Sequence, residues 1–168
     1  MKNTKNFNIR RDIHKYGNDI LHSKNFLSSN KNIQHSDVSV MKHSIKVAYA
    51  SMWLNRKLHL HCKERELARG ALLHDYFLYD WHSPEHCGLK NLHGFYHPGI
   101  ALKNAAKEYK LTDRERNIIG SHMWPLTFRH IPTCREAWVV TAADKYISTI
   151  ESLRLNKLHK FIKKKVRA

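Results

Sequence analysis

Glycine and proline are scarce in this chain, six and four in 168 residues. Sheets closed by tight turns draw heavily on both residue types. A chain so poor in them is expected to be all-α, with helices joined by short loops. The apolar share of 42% is close to the globular norm, so a packed core is expected rather than disorder. The length suits one domain with room for that core.

Apolar spacing and end signals divide the chain into five or more helices. Residues 8–30 read as one or two polar helices, interrupted at Gly17 and at Ser28-Ser29-Asn30. Ser36 is the expected N-cap of a long helix through about Leu58, with Val40, His43, Val47, Ala50 and Leu54 on one side. A second runs from about Lys63 to His74, turning Leu67, Gly70, Ala71 and Leu73 inward. Residues 76–96, with Pro84, Gly88 and Gly94, read as an irregular loop. Pro98 suits a first helical position and opens a helix to about Tyr109. Thr112 with Glu115 forms a capping box for a helix ending near His122. After a loop holding Trp124-Pro125 and Pro132, a helix is expected from about Cys134 to Leu153, and a last one from about Leu155.

The net charge of +16 is unevenly placed. Residues 1–35 carry seven Lys/Arg against two Asp, and residues 152–168 carry seven with no acid. The expected organisation is therefore a basic N-terminal helical extension (1–35), a mildly basic central domain (36–153) and a basic C-terminal helix or tail (154–168). Such ends suit RNA or an acidic surface, or are plain solvated faces. Three cysteines, Cys62, Cys87 and Cys134, show no paired spacing and fit reduced thiols. No signal peptide and no membrane-length apolar run is visible, so a soluble cytoplasmic protein is expected.

Fourteen histidines and seven aspartates in 168 residues make about 0.6 His-Asp dipeptides expected by chance. The dipeptide His74-Asp75 gains meaning from its context. It closes the apolar run Ala71-Leu72-Leu73, and inward-facing His43 and Asp144 stand on other helices. Polar groups on apolar helix faces must be satisfied, because burying them unpaired costs several kcal/mol. A satisfied core histidine explains one such group; for three helices at once a shared cation is the simpler explanation. Two imidazoles and two carboxylates suit Fe, Mn, Co, Ni or Zn better than Ca. His97, just before Pro98, and His122, four residues after Ile118, extend the set toward a second metal sharing Asp75.

These residues resemble the HD-domain superfamily of metal-dependent phosphohydrolases. Its pattern of a helical His, a His-Asp closing a later helix and a distant helical Asp is matched by His43 in Met-Lys-His-Ser, by His74-Asp75 in Ala-Leu-Leu-His-Asp-Tyr and by Asp144 in Thr-Ala-Ala-Asp-Lys-Tyr. The similarity covers about residues 38–150. His97 in His-Pro-Gly-Ile-Ala-Leu and His122 in Gly-Ser-His-Met match the two added histidines of the dinuclear branch. That branch includes HD-GYP cyclic dinucleotide phosphodiesterases and HD-type hydrolases of diadenosine tetraphosphate. The Gly-Tyr-Pro signature of the former is absent, and so is the phosphate-contacting lysine shortly after His-Asp, where Tyr76-Phe77-Leu78-Tyr79-Asp80 stands. Asp80 is either a proton donor or acceptor or a plain loop carboxylate. Lys145 either meets substrate phosphate or is solvated.

The resemblance implies a helical bundle and a metal-activated water that hydrolyses a phosphate ester or anhydride of a phosphorylated small molecule, a nucleotide above all. One or two divalent transition metals are implied, Fe or Mn ahead of Zn, Co and Ni. Relatives with the same ligand order include di-iron oxygenases, and a non-catalytic RNA-binding protein using its basic ends is a third reading. Within the loop, His82, His86, Cys87, His93 and His97 form a rival zinc set of irregular spacing, and His93 competes with His97 as ligand. Most of the tryptophans Trp53, Trp81, Trp124 and Trp138 are expected to pack in core or loops; for Trp81 and Tyr79, beside the expected site, packing is favoured over the alternative of stacking on a base.

Overall fold

A computed structural model describes residues 8–35, 38–79 and 92–166, with side chains through residue 153 except that of His35. Among these residues the chain forms seven helices and one two-stranded ribbon: α1 (Ile9–Leu21), α2 (Lys24–Ser28), a single 3-10 turn (Ser29–Lys31), β1 (Ile33–His35), β2 (Val38–Ser39), α3 (Val40–Lys57), α4 (Glu64–Leu73), α5 (His93–Glu108), α6 (Asp113–Ser121) and α7 (Arg135–Val166). The all-α expectation holds. No helix among the described residues is long and apolar enough to cross a membrane.

Helix α4 is the centre. It packs against α1, α3, α5, α6 and α7, and its residues Leu67 to Leu73 are all buried. Two glycines set how closely its neighbours approach. A Cβ at Gly70 would overlap the Ile118 side chain, so α4 and α6 meet there almost backbone to side chain. Gly17 takes non-helical angles that kink α1, and a Cβ there would overlap Leu72. The basic N-terminal residues are thus not detached: Ile9, Ile13, Ile20 and Phe26 join the same core as Val47, Met52, Leu72, Ile118 and Val140.

Three helix boundaries differ from expectation. Helix α3 begins at Val40, capped by Ser39, whose hydroxyl accepts from the Lys42 N–H. The expected cap, Ser36, lies outside the described residues, and the strands β1 and β2 occupy the approach to the helix. Pro98 sits inside α5 rather than at its first position, where its missing N–H forgoes one intrahelical bond. Helix α7 runs unbroken to Val166. Leu153-Arg154-Leu155 are good helix formers with no glycine or proline among them, so nothing ends the helix there. The capping box is present: Glu115 N–H donates to Thr112 Oγ1 (3.3 Å) and Thr112 N–H to Glu115 Oε2 (2.7 Å).

Of the tryptophans, Trp124 and Trp138 pack edge to face with centroids 4.8 Å apart. Trp53 is 45% exposed and Trp138 42%, so neither is a core residue; Trp53 lies beside the inward face of α3 rather than on it. Trp81 lies outside the described residues.

Arg69 ties three helices together. Its guanidinium donates to Glu115 Oε1 (2.9 Å), to the Tyr16 carbonyl (3.1 Å) and to Asp19. Glu115 is fully buried. Removing one partner of such a buried pair leaves an uncompensated charge, which costs about 3–5 kcal/mol. Urea unfolding of Arg69→Leu is expected to show a loss of that size, and a loss below about 1 kcal/mol would mean the buried Glu115 finds another partner.

Candidate metal centre

Five helices converge on one buried cluster. His43 comes from the first turn of α3, His74 caps the C-terminus of α4 with Asp75 directly after it, His97 lies in α5, His122 caps the C-terminus of α6, and Asp144 lies in α7. The close approach of Gly70 and Ile118 explains part of this. His74 and His122 each follow that contact by four residues, one helical turn, so their rings meet edge to face at 4.9 Å.

The same helix ends fix the ring orientations. Carbonyls in the last turn of a helix lack intrahelical partners. His74 Nδ1–H donates to the Ala71 carbonyl (2.8 Å) and His122 Nδ1–H to that of Ile119 (2.9 Å). His97 Nδ1–H donates to the His93 carbonyl (3.0 Å), and His43 Nδ1–H to Glu151 Oε2 (2.9 Å). With every Nδ1 a donor, each neutral ring turns its bare Nε2 lone pair inward.

Asp75 stands between the two halves of the cluster. Its Oδ2 is 3.2 Å from His74 Nε2 and 3.7 Å from His43 Nε2, while its Oδ1 is 3.1 Å from His97 Nε2 and 3.5 Å from His122 Nε2. Asp144 Oδ1 lies 3.0 Å from His43 Nε2 and 3.7 Å from His74 Nε2. Three overlapping trios, His43-His74-Asp75, His74-His122-Asp144 and Asp75-His97-His122, hold their ligand atoms within 4.8 Å of one another.

Two observations show that this donor set fits cations. His74 Nε2 and Asp75 Oδ1 are buried without a hydrogen-bond partner. His97 Nε2 and His122 Nε2 face each other at 2.8 Å, an arrangement of two lone pairs that a proton or a metal must relieve. Charge is distributed unevenly over the cluster. Burial pushes the His43 pKa down, but the Asp144 and Glu151 carboxylates outweigh it and raise it to about 8. Burial pushes Asp75 up, yet the surrounding imidazoles, His74 first, hold it well below the usual carboxylate range. Asp144 is likewise held low against burial by His43 and His74. His122 is pulled below its ordinary value by burial and by the neighbouring His97 and His74, against the opposing pull of Asp75.

A cavity of about 640 Å³ opens onto the cluster. Asp75, His97, His122 and Asp144 reach its floor, Lys145, Ser148 and Thr149 line a polar wall from α7, and Gly94, Met123, Pro125 and Leu126 form an apolar wall. Lys145 Nζ donates to the His122 carbonyl at 3.2 Å. His93 also lines the cavity, but its ring stacks on His97 at 4.7 Å and no trio includes it. The Tyr79 hydroxyl is hydrogen-bonded to His93 Nδ1 at 3.0 Å. Asp80, and His82, His86 and Cys87 of the rival zinc set, lie outside the described residues.

The sequence reading passed over three residues at this centre. Glu151 supports His43 and takes an ion pair from Lys46 (2.8 Å). Its signal was present, since it follows Asp144 by seven residues, two turns along the same helix face. Ser148 Oγ donates to Asp144 Oδ1 (3.1 Å) from the intervening turn. Gln34 Nε2 donates to Asp75 Oδ2 (2.6 Å) from β1, a strand too short for its periodicity to show.

Among curated proteins and among solved structures, none matches the chain. The HD domain description matches residues 40–149, about two thirds of the chain, a span that begins at the first residue of α3 and holds all six candidate ligands. By its sequence and by its buried histidine–aspartate cluster, the chain belongs to the HD domain family.

Proposed function

We propose that this HD domain is a dinuclear phosphohydrolase of the branch with two added histidines, and that it cleaves a phosphate ester or anhydride of a nucleotide. The observation that carries this reading is the division of the Asp75 carboxylate. One oxygen faces His43 and His74 and the other faces His97 and His122, which is the placement of a carboxylate shared by two metals. His43, His74, Asp75 and Asp144 would hold the first, and Asp75, His97 and His122 the second, with Fe or Mn suiting the mixed nitrogen and oxygen set. Bound there, the metals supply Lewis acidity and a water acidic enough to attack phosphorus near neutral pH.

The rest follows from the chain's own groups. Lys145 offers a cation along one wall of the cavity, with ammonium hydrogens to spare beyond the one given to the His122 carbonyl, which suits phosphate oxygens. The Met123–Leu126 wall offers an apolar face for a base, and a cavity of this volume suits a nucleotide-sized ligand. Asp80, five residues after Asp75 in the sequence, takes the role of proton donor or acceptor in this reading.

The test joins composition to activity. Protein purified without chelator is expected to carry about two transition metals per chain and to hydrolyse nucleotides or dinucleoside polyphosphates with Mn or Fe. Oxygen consumption by an iron-loaded protein that releases no phosphate would assign it to the oxygenases instead. Protein that takes up no metal would remove the reading altogether.

A further inference from the structure

Gln34 is 7% exposed, yet it lines the catalytic cavity. Its position is set by the ribbon that precedes α3. Ile33 pairs with Ser39 across β1 and β2, and Ser39 in turn caps the helix that carries His43. The ladder is irregular between Ile33 and His35, where Gln34 sits, and such irregularities re-aim a side chain: Ile33 is 44% exposed and Gln34 is turned in. The strand pair therefore delivers one buried amide to the metal centre in fixed register with His43.

The orientation of that amide is determined by its neighbour. Gln34 lies 2.6 Å from Asp75 Oδ2, and a carboxylate ringed by imidazoles only accepts, so the NH₂ group must face it. The amide oxygen is then turned away from Asp75. It is buried and has no hydrogen-bond partner. An acceptor left bare in a protein interior is costly, and the residue that carries it lines the cavity, from which a donor can reach it. We infer that Gln34 is a positioning residue of the centre, whose N–H holds the Asp75 oxygen on the His43–His74 side and whose carbonyl receives a hydrogen from a water or substrate hydroxyl in the cavity. The inference rests on the metal-site reading above. It assigns to β1, which lies outside the matched residues 40–149, a share in a site otherwise built from helices.

Gln34→Met keeps the length of the side chain and removes both donor and acceptor; Gln34→Asn keeps the amide but withdraws it by one carbon. Calorimetric titration of the full chain with Mn²⁺ alone is expected to show about 10–100-fold weaker binding for both variants, the usual loss when the partner of a ligating group is removed. The rise in Tm on adding Mn²⁺ should shrink accordingly, while the metal-free Tm changes less. With Mn²⁺ saturating, turnover of bis(p-nitrophenyl) phosphate should fall in kcat with KM unchanged. A merely structural role would lower Tm equally with and without Mn²⁺ and leave the titration untouched, and that result overturns the inference. If Gln34→Met fails to fold, the same titration of Gln34→Asn decides. Wild-type protein that binds Mn²⁺ as tightly as both variants removes the role of Gln34 alone. Wild-type protein that binds none removes the metal-site reading with it.

Discussion

Asp75→Asn is expected to empty both metal positions at once. Asp75 is 2% exposed, and it is the residue whose two oxygens separately face the two pairs of imidazoles. The amide keeps the volume, so the core around it needs no repacking. It loses the charge, and its NH₂ group turns a hydrogen toward one of the two positions. Outer partners of metal ligands typically cost about 10–100-fold in affinity when lost, and a shared ligand must cost more than the upper figure. Elemental analysis should find metal falling from about two per chain to a trace, with phosphate release lost in parallel. The metal-free protein should also weaken, because the imidazoles now share only Asp144 and Glu151 as carboxylate partners. Breaking a buried charge arrangement costs about 3–5 kcal/mol, measurable as a shift of the urea midpoint. Retention of both metals by Asp75→Asn would show that the two histidine groups do not depend on a common carboxylate.

How much of this was legible in the sequence follows the length scale of each signal. Helices with several turns announce themselves by apolar period, so His43, His74 and Asp144 were each readable as polar groups on an inward face. The capping box at Thr112 and Glu115 is a contact within three residues and was readable for the same reason. Boundaries governed by what is absent were harder. Nothing marks the stretch after Leu153 as a stop or as a continuation, and α7 continues. Pro98 reads as a helix start, yet the turn before it is helical as well and makes it an interior residue. Gln34 was out of reach because its burial is decided by the Ile33–Ser39 pairing, a contact between segments too short to show a pattern. Glu151 was within reach. Its spacing from Asp144 is that of a shared helix face, but a carboxylate near the basic end of the chain reads first as a surface charge.

The sharpest division of the centre comes from His97→Ala with His122→Ala. Both Nε2 atoms point at Asp75 Oδ1, and they face each other at 2.8 Å. Neither approaches the other ligands through Nδ1, which in both rings is spent on a backbone carbonyl. Removing the pair therefore deletes one half of the cluster while His43, His74, Asp144 and the remaining Asp75 oxygen stay in place. The double variant is expected to bind about one metal per chain instead of two, and to lose phosphate release, since one metal alone does not clamp attacking and leaving oxygens together. Its stability without metal should change less than its metal content suggests. Two cavities are created, but the opposed lone pairs disappear with the rings, and the two effects act in opposite directions. One metal per chain in wild type and variant alike would assign the two histidines to phosphate or proton contacts around a single ion. Loss of both metals in the variant would mean instead that His122, which also stands in a trio with His74 and Asp144, serves the first position as well as the second.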